Sequence, residues 1–423
     1  MKKTFLLLLA AFVALTASAQ TAREEIMANI RLSASNYIAY PEPTATLTPA
    51  PKGYKPVYIS HYARHGSRWH TSTSSYTKPL KTLQKAADLG KLTPDGLKAL
   101  AVLKDISRQA EGRAGELTAK GARQHRGIAD RMYKNFPEVF RDGAHIDARS
   151  TVVIRCILSM MNECLQLQQH NKTLQITSDA SAHDMYYMND EYNAEVGKYA
   201  KSKAADSVVS AFYYKHVHPE ALMTRLFNDP VYVKDSVNQY SLMGRLFSVA
   251  SNMQSHDTEL DLYYLFTPEE LYQMWRYENL SWYHSLGPSA LKQGMMPYYE
   301  KNLLRNILTT ADSCLQLDVP GATLRFGHEV VVLPLACLME LDGAGKQYAD
   351  PETLEEYWRN YKIFPMGCNI QLIFYRKKGS DDVLVKALLN EHEATLPVSS
   401  DVKPYYHWKD VREYYDQKLK AFK

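Results

Sequence analysis

The hydrophobic pattern divides the 423 residues into two ends that alternate strand and helix signals and a middle that carries helix signals alone. A short helix is predicted over 22–37, followed by a proline-rich approach through Pro41, Pro43, Pro49 and Pro51. The first strand is predicted over 57–63, where β-forming residues crowd together after Pro56. Apolar residues at helical spacing follow over 80–89, 94–113 and 118–135, the last headed by Thr118 as N-cap. The next predicted helix covers 147–169 and lines up Val153, Ile157, Leu158, Met161 and Leu165, after which 173–178 alternates as a strand. From 180 to 310 the signals are helical, at 193–212, 219–227, 236–253 and 268–280, with a longer helix ending near Leu315. Strand signals return at 322–326, 369–375 and 383–389, with helices at 332–341 and 408–419. This order predicts an α/β fold, a mixed central sheet flanked by helices. Its core is expected from 20–179 and 311–423, with an inserted α-helical cap at 180–310. No internal repeat is present.

The N-terminus departs from this scheme. Lys2 and Lys3 precede an apolar run over 5–15 and then Ala17-Ser18-Ala19 before Gln20, the layout of a cleaved secretory signal over 1–19. The run is too short to cross a bilayer, and no later stretch has 18 consecutive apolar residues, so no membrane span is expected. Gln20 stands where a bacterial lipid anchor needs Cys. An exported protein, periplasmic or extracellular, is the expectation. The 50 basic residues fall to 48 without Lys2 and Lys3, against 46 acidic ones, a net charge near +2 that argues against nucleic acid as partner. The five cysteines include no Cys-x-x-Cys and no metal-ligand spacing, so no metal or cofactor is expected. Cys156 and Cys164 lie eight apart on one predicted helix, about 12 Å of rise, too far to bridge each other.

Candidate chemistry concentrates where the first strand ends. Arg64-His65-Gly66-Ser67-Arg68 places an imidazole between two guanidinium groups with no carboxylate beside them. That is a poor core and a good way to hold phosphate while attacking it. Ligands of α/β sheets sit outside the carboxyl ends of the strands. His328 follows another strand in the same way, with Glu329 next to it, and Arg155 projects from a helix that precedes a strand.

The segment Arg64-His65-Gly66-Ser67-Arg68 resembles the signature of the histidine acid phosphatases. Leu117-Thr118 with Gly121, Arg149-Ser150-Thr151 with Arg155 and Ser159, and Gly327-His328-Glu329 occur in the order of that family. The stretch 265–271, Leu-Phe-Thr-Pro-Glu-Glu-Leu, is similar to the cap of the branch that contains the multiple inositol polyphosphate phosphatases. The resemblance implies a phosphoglycerate mutase-like core and a metal-free phosphomonoesterase acting on a small phosphate monoester. By the same resemblance, His65 is the nucleophile of a phosphohistidine intermediate. Arg64, Arg68, Arg155 and His328 bind phosphate, and Glu329 protonates the leaving alcohol. An inositol polyphosphate is the implied substrate. A sugar phosphate or a broad range of esters is the alternative, and an idle phosphate-binding protein the reading of another class. Two positions depart from the pattern. Glu329 stands where the family usually has Asp, one residue before the Glu of the inositol-phosphate branch, where this chain has Val330. His70 replaces a common Pro. His70, His183 and Arg325 are expected at the substrate rim, and His256-Asp257-Thr258, without a preceding strand, is the weaker rival for the proton donor.

Overall fold

The computed structural model describes residues 20–189 and 193–422; the predicted signal segment 1–19 lies outside them. β1 (Tyr54–Arg64) is buried from Tyr58 onward, and its side chains divide between the two faces of the sheet. Tyr58 and Tyr62 join one core with Leu304, Leu308 and Val332, while Ile59 and Ala63 join another with Ile128, Met132, Met160 and Leu167. A strand covered on both sides has no reason to alternate polar with apolar, which is why this stretch reads as one β-rich run.

Eight strands form the sheet: β1, β2 (His145–Ser150), β3 (Gln175–Asp179), β4 (Gly321–Gly327), β5 (Asn369–Lys377), β6 (Val383–Leu389), β7 (His392–Ala394) and β8 (Tyr406–His407). Their order is β3-β2-β4-β1-β5-β6-β7, with β8 also on β6. The first four run parallel and the rest add antiparallel, so the sheet is mixed as expected. The register pairs Arg64 with Gly327, and the His65 N–H donates to the Gly327 carbonyl at 2.9 Å. Two strand ends from distant parts of the chain thereby bring His65 and His328 side by side.

Helices cover both faces. After the short α1 (Ala22–Ala28), the chain forms α2 (Ser74–Asp88), α3 (Pro94–Gln109), α4 (Ala119–Asn135) and α5 (Ile154–His170). α4 and α5 supply Ile128, Met132, Met160 and Leu167 to the core below the sheet. The helix Lys301–Cys314 packs against the opposite face through Leu304 and Leu308. No strand falls between 180 and 310 among the described residues. Leu222, Leu246 and Leu271 from that region share a core with Leu83, Leu100 and Leu103 of α2 and α3.

Three local expectations need correction. Residues 145–150 form β2 rather than the start of a helix, and α5 begins only at Ile154. The predicted 22–37 helix breaks at Asn29, and Ile30–Tyr37 continues as 3₁₀ turns with Ser35 at φ 56°. The helix after β4 starts at Glu329 and ends at Leu338, ahead of the expected 332–341. Among the described residues no helix is long and apolar enough to cross a membrane.

Candidate active site

The nucleophile loop is gripped from two helices. From α4, the N-cap Thr118 accepts from the Gly121 N–H, while its own N–H donates to the Ser67 carbonyl at 2.9 Å. Gln124 accepts from the Ser67 N–H at 2.8 Å and donates to the Ser67 hydroxyl at 3.0 Å. From α5, the Ser159 hydroxyl accepts the Gly66 N–H at 3.1 Å. Arg155, Ser159 and Glu163 are four residues apart, so one face of α5 addresses the site. Glu163 acts one layer down. Its Oε2 lies 2.9 Å from His125 Nδ1, and His125 Nε2 donates to the Arg64 carbonyl at 3.1 Å. His61 completes this buried group, 3.6 Å from Glu163 Oε1, and burial lowers its imidazole to about 4 despite that carboxylate.

Hydrogen bonds define the tautomers of the two site histidines. A carbonyl oxygen only accepts, so His65 Nδ1 carries the proton it donates to Gly66 at 2.9 Å. The lone pair therefore resides on Nε2, which is buried without a hydrogen-bond partner. Burial, reinforced by Arg64, Arg68, Arg155 and His328, holds the His65 imidazole well below the ordinary range, so it stays neutral. An Arg155 guanidinium nitrogen donates to His328 Nδ1 at 3.5 Å, leaving the His328 proton on Nε2, directed to Thr151 Oγ1 at 3.3 Å. The two rings stand edge to face, 5.6 Å apart.

Glu329 is the carboxylate inside this ring of donors. Its Oε2 lies 3.0 Å from Arg64 Nε and 3.7 Å from His65 Nε2, and its Oε1 lies 3.7 Å from Arg68 Nη2. Asn36 donates to Oε1 at 3.3 Å. Burial pushes the carboxyl up, but Arg64, Arg68 and His328 together bring it down to about 2. Arg64 is itself held by donation to the Asn36 and Phe364 carbonyls at 2.6 and 3.1 Å. Arg64 Nη2, Arg68 Nε and Arg155 Nε remain buried without hydrogen-bond partners. Buried donors left open around one point mark the place of an anion. The ligand atoms of His65, His328 and Glu329 lie within 4.8 Å of one another, a spacing a metal could use, but three guanidinium groups around them oppose a cation.

Of the expected rim residues, none faces the clamp. His70 is buried, accepting from the Tyr37 hydroxyl on Nδ1 at 3.2 Å and donating from Nε2 to the Ser248 carbonyl at 3.2 Å. Both nitrogens are engaged, and burial lowers the ring to about 3. His183 is exposed in the turn Ala182–Asp184 beside Tyr186. Arg325 leaves β4 inside the sheet, where it donates to Asn306 and Ser60 at 3.0 Å each. Arg149 projects from a strand, not a helix, and pairs with Asp147, Asp179 and Asp184. The rival motif lies elsewhere: His256 packs on Trp69 and Asp257 pairs with Arg123 at the surface. Asn36, Gln124, His125 and Glu163 were missed. Gln124 and His125 had a signal, since they continue the helical face that Thr118 and Gly121 begin, and so had Glu163, four residues beyond Ser159.

A parallel-sheet edge that presents a neutral histidine in a ring of arginines defines a phosphoryl-transfer site. The sequence matches the model of the histidine phosphatase superfamily (branch 2) over residues 62–390, and the chain belongs to that family. The structure is similar to the multiple inositol polyphosphate phosphatase of Bifidobacterium longum bound to inositol hexasulfate, with a TM-score of 0.74 at 19% identity, covering 90% of this chain and 96% of that one. It is also similar to the phytase of D. castellii, with a TM-score of 0.69 at 16% identity over 98% and 91% of the two chains. At such identities these likenesses establish the fold. No curated protein sequence matches the chain significantly.

Proposed function

We propose that this histidine phosphatase works through a phosphohistidine on His65. His65 Nε2 attacks phosphorus as the ester P–O bond breaks, and the departing alkoxide takes the Glu329 proton. Arg64, Arg68 and Arg155 neutralise the non-bridging oxygens during this in-line transfer, and His328, uncharged, donates to one of them once its Nε2–H turns from Thr151. Water then attacks the phosphohistidine, giving its proton to the Glu329 carboxylate, and the N–P bond breaks to release phosphate and free imidazole. The observation that carries this reading is the unpartnered Nε2 lone pair of a neutral imidazole inside the arginine clamp.

Glu329 enters the cycle as an ion paired with Arg64. Bound phosphate takes over the arginines, which frees the carboxyl to rise toward its ordinary range and pick up the proton it must deliver. An acidic optimum follows. Inositol phosphates are the substrate class this reading favours, supported by the Bifidobacterium longum neighbour, a multiple inositol polyphosphate phosphatase solved with inositol hexasulfate, and by the D. castellii phytase. The residues 180–310, whose helices share a core with α2 and α3, are proposed to cap the site. Export follows from the predicted signal, and mass spectrometry of the mature protein should find Gln20 at its N-terminus. The test of mechanism is an acid quench with labelled phosphoester. Label should appear on His65 and disappear in His65→Ala; an unlabelled enzyme that still turns over would refute the covalent route.

A further inference from the structure

Asn36 touches both halves of the catalytic apparatus. Its main-chain carbonyl accepts from Arg64 Nη1 at 2.6 Å, and its side-chain amide donates to Glu329 Oε1 at 3.3 Å. A carboxylate only accepts, so the amide nitrogen is the atom that faces it. One residue thereby registers the acid against the clamp. It comes from the 3₁₀ segment Ile30–Tyr37, outside the strands that lead to His65 and His328.

The backbone beside Asn36 is strained and braced. Ser35 is buried and stands at φ 56°, ψ −123°, a region that residues with a Cβ rarely enter. Such a conformation persists only where its surroundings hold it. The Ser35 hydroxyl accepts from Asn360 Nδ2 at 2.7 Å, Asn360 Oδ1 accepts from Trp275 Nε1 at 2.9 Å, and the Asn360 N–H donates to Asn279 Oδ1 at 2.8 Å. Trp275, Asn279 and Asn360 are all buried. On the other side of Asn36, the Tyr37 hydroxyl donates to His70 at 3.2 Å. Satisfied buried networks rigidify what they enclose, and this one encloses Asn36.

We infer that Asn36 is the positioning residue of the general acid: it keeps Glu329 Oε1 while Oε2 leaves Arg64 and presents the proton to the departing oxygen. The inference rests on the phosphatase reading and deepens it. Phosphate in the clamp draws on the guanidinium groups that otherwise hold the carboxyl, 3.0 Å away at Arg64 and 3.7 Å away at Arg68. The Asn36 amide is neutral and the weaker partner for phosphate, so it stays with the carboxyl. With Oε1 accepting from that amide, the proton that Glu329 delivers resides on Oε2. The acid is thus oriented at the moment its ion pair is gone.

The experiment is a double-mutant cycle read as kcat/KM, which reports cleavage of the ester bond. It compares inositol hexakisphosphate and glycerol 2-phosphate with 4-nitrophenyl phosphate in the wild type, Asn36→Ala, Glu329→Gln and the double variant. An alkoxide needs the proton and an activated phenolate does not. Asn36→Ala should lower the alkyl-to-aryl ratio about tenfold, the contribution of one hydrogen bond to a carboxyl group. Added to Glu329→Gln it should lower the ratio no further, because no acid remains to be positioned. An unchanged ratio in Asn36→Ala, or the same tenfold loss in the Glu329→Gln background, overturns the inference. Calorimetry of inorganic phosphate separates positioning from scaffolding. Arg64 donates to the main chain of Asn36, so the clamp survives the substitution and phosphate binding should not weaken. Phosphate binding lost in parallel with turnover would make Asn36 a scaffold residue and overturn the inference as well. Asn36→Ser, polar but too short to reach Oε1, repeats both readings with a second side chain. No phosphate release from any ester by the wild type would count instead against the phosphatase reading itself.

Discussion

Removing the catalytic acid should tighten the grip on phosphate. Glu329 lies where an anion belongs, 3.0 Å from Arg64 Nε, and phosphate must displace it. The Glu329 carboxyl stands at about 2, so the pair with Arg64 is formed at every pH well above that and is lost only as pH falls toward 2. At 1.36 kcal/mol per pKa unit, a depression of this size corresponds to about 3 kcal/mol of preference for the ionised form. Asn36 and entering water recover part of it when the carboxylate swings away. Glu329→Ala should therefore bind inorganic phosphate about tenfold to a hundredfold more tightly while turning over far more slowly. Isothermal titration calorimetry at pH 5 and pH 7 measures this directly. In the wild type the displaced carboxyl takes up a proton, so the binding heat should vary with the ionisation enthalpy of the buffer, and the variation should shrink in the variant. Equal or weaker phosphate binding by Glu329→Ala would refute the account of Glu329 as a competitor for the clamp.

The same carboxyl governs the remaining kinetics. Activity should fall as pH rises through the value Glu329 reaches beside bound substrate, and Glu329→Gln should flatten that limb, read from kcat/KM against pH. Glu329→Gln should also slow alkyl phosphates more than an activated aryl phosphate, because only the poor leaving group needs a proton; equal slowing in a paired assay would remove it as the acid. Glu163→Ala leaves His125 Nδ1 buried without its hydrogen-bond partner, at a cost of about 1 to 3 kcal/mol. Urea unfolding measures that cost. Kinetics should show a lower kcat at nearly unchanged KM, with Glu163→Gln restoring much of it.

The parts of the site that were legible in the sequence are those whose residue types are odd in their setting. A histidine between arginines at the end of a buried strand has no structural excuse, and His328 repeats its place at the end of β4. The residues behind them were hidden by the same rule that makes helices readable. Glu163 continues the face that Arg155 and Ser159 begin on α5, and His125 the one that Thr118 and Gly121 begin on α4, but nothing local shows that the two meet across α4 and α5. β2 was lost to its neighbour. His145 to Ser150 alternates in burial, but Val152 and Val153 follow without a glycine or proline to mark the boundary, so the helical spacing of α5 absorbed the strand. His70 misled for the opposite reason. A polar stretch after the signature reads as an exposed loop, yet the fold lays it under Tyr37 and Ser248 and seals both ring nitrogens.

The contact between the nucleophile loop and α4 reaches beyond stability. A Cβ on Gly66 would lie 2.4 Å from the Gly121 carbonyl oxygen, and a Cβ on Gly121 would lie 2.3 Å from the Ser67 carbonyl oxygen. Each glycine collides with main chain rather than with the other's missing side chain, so no exchange at one position makes room at the other. Mutational drift has no compensating path through this point. Sequence change among descendants of this chain is thereby channelled away from the seam between the nucleophile loop and α4, which they inherit unaltered.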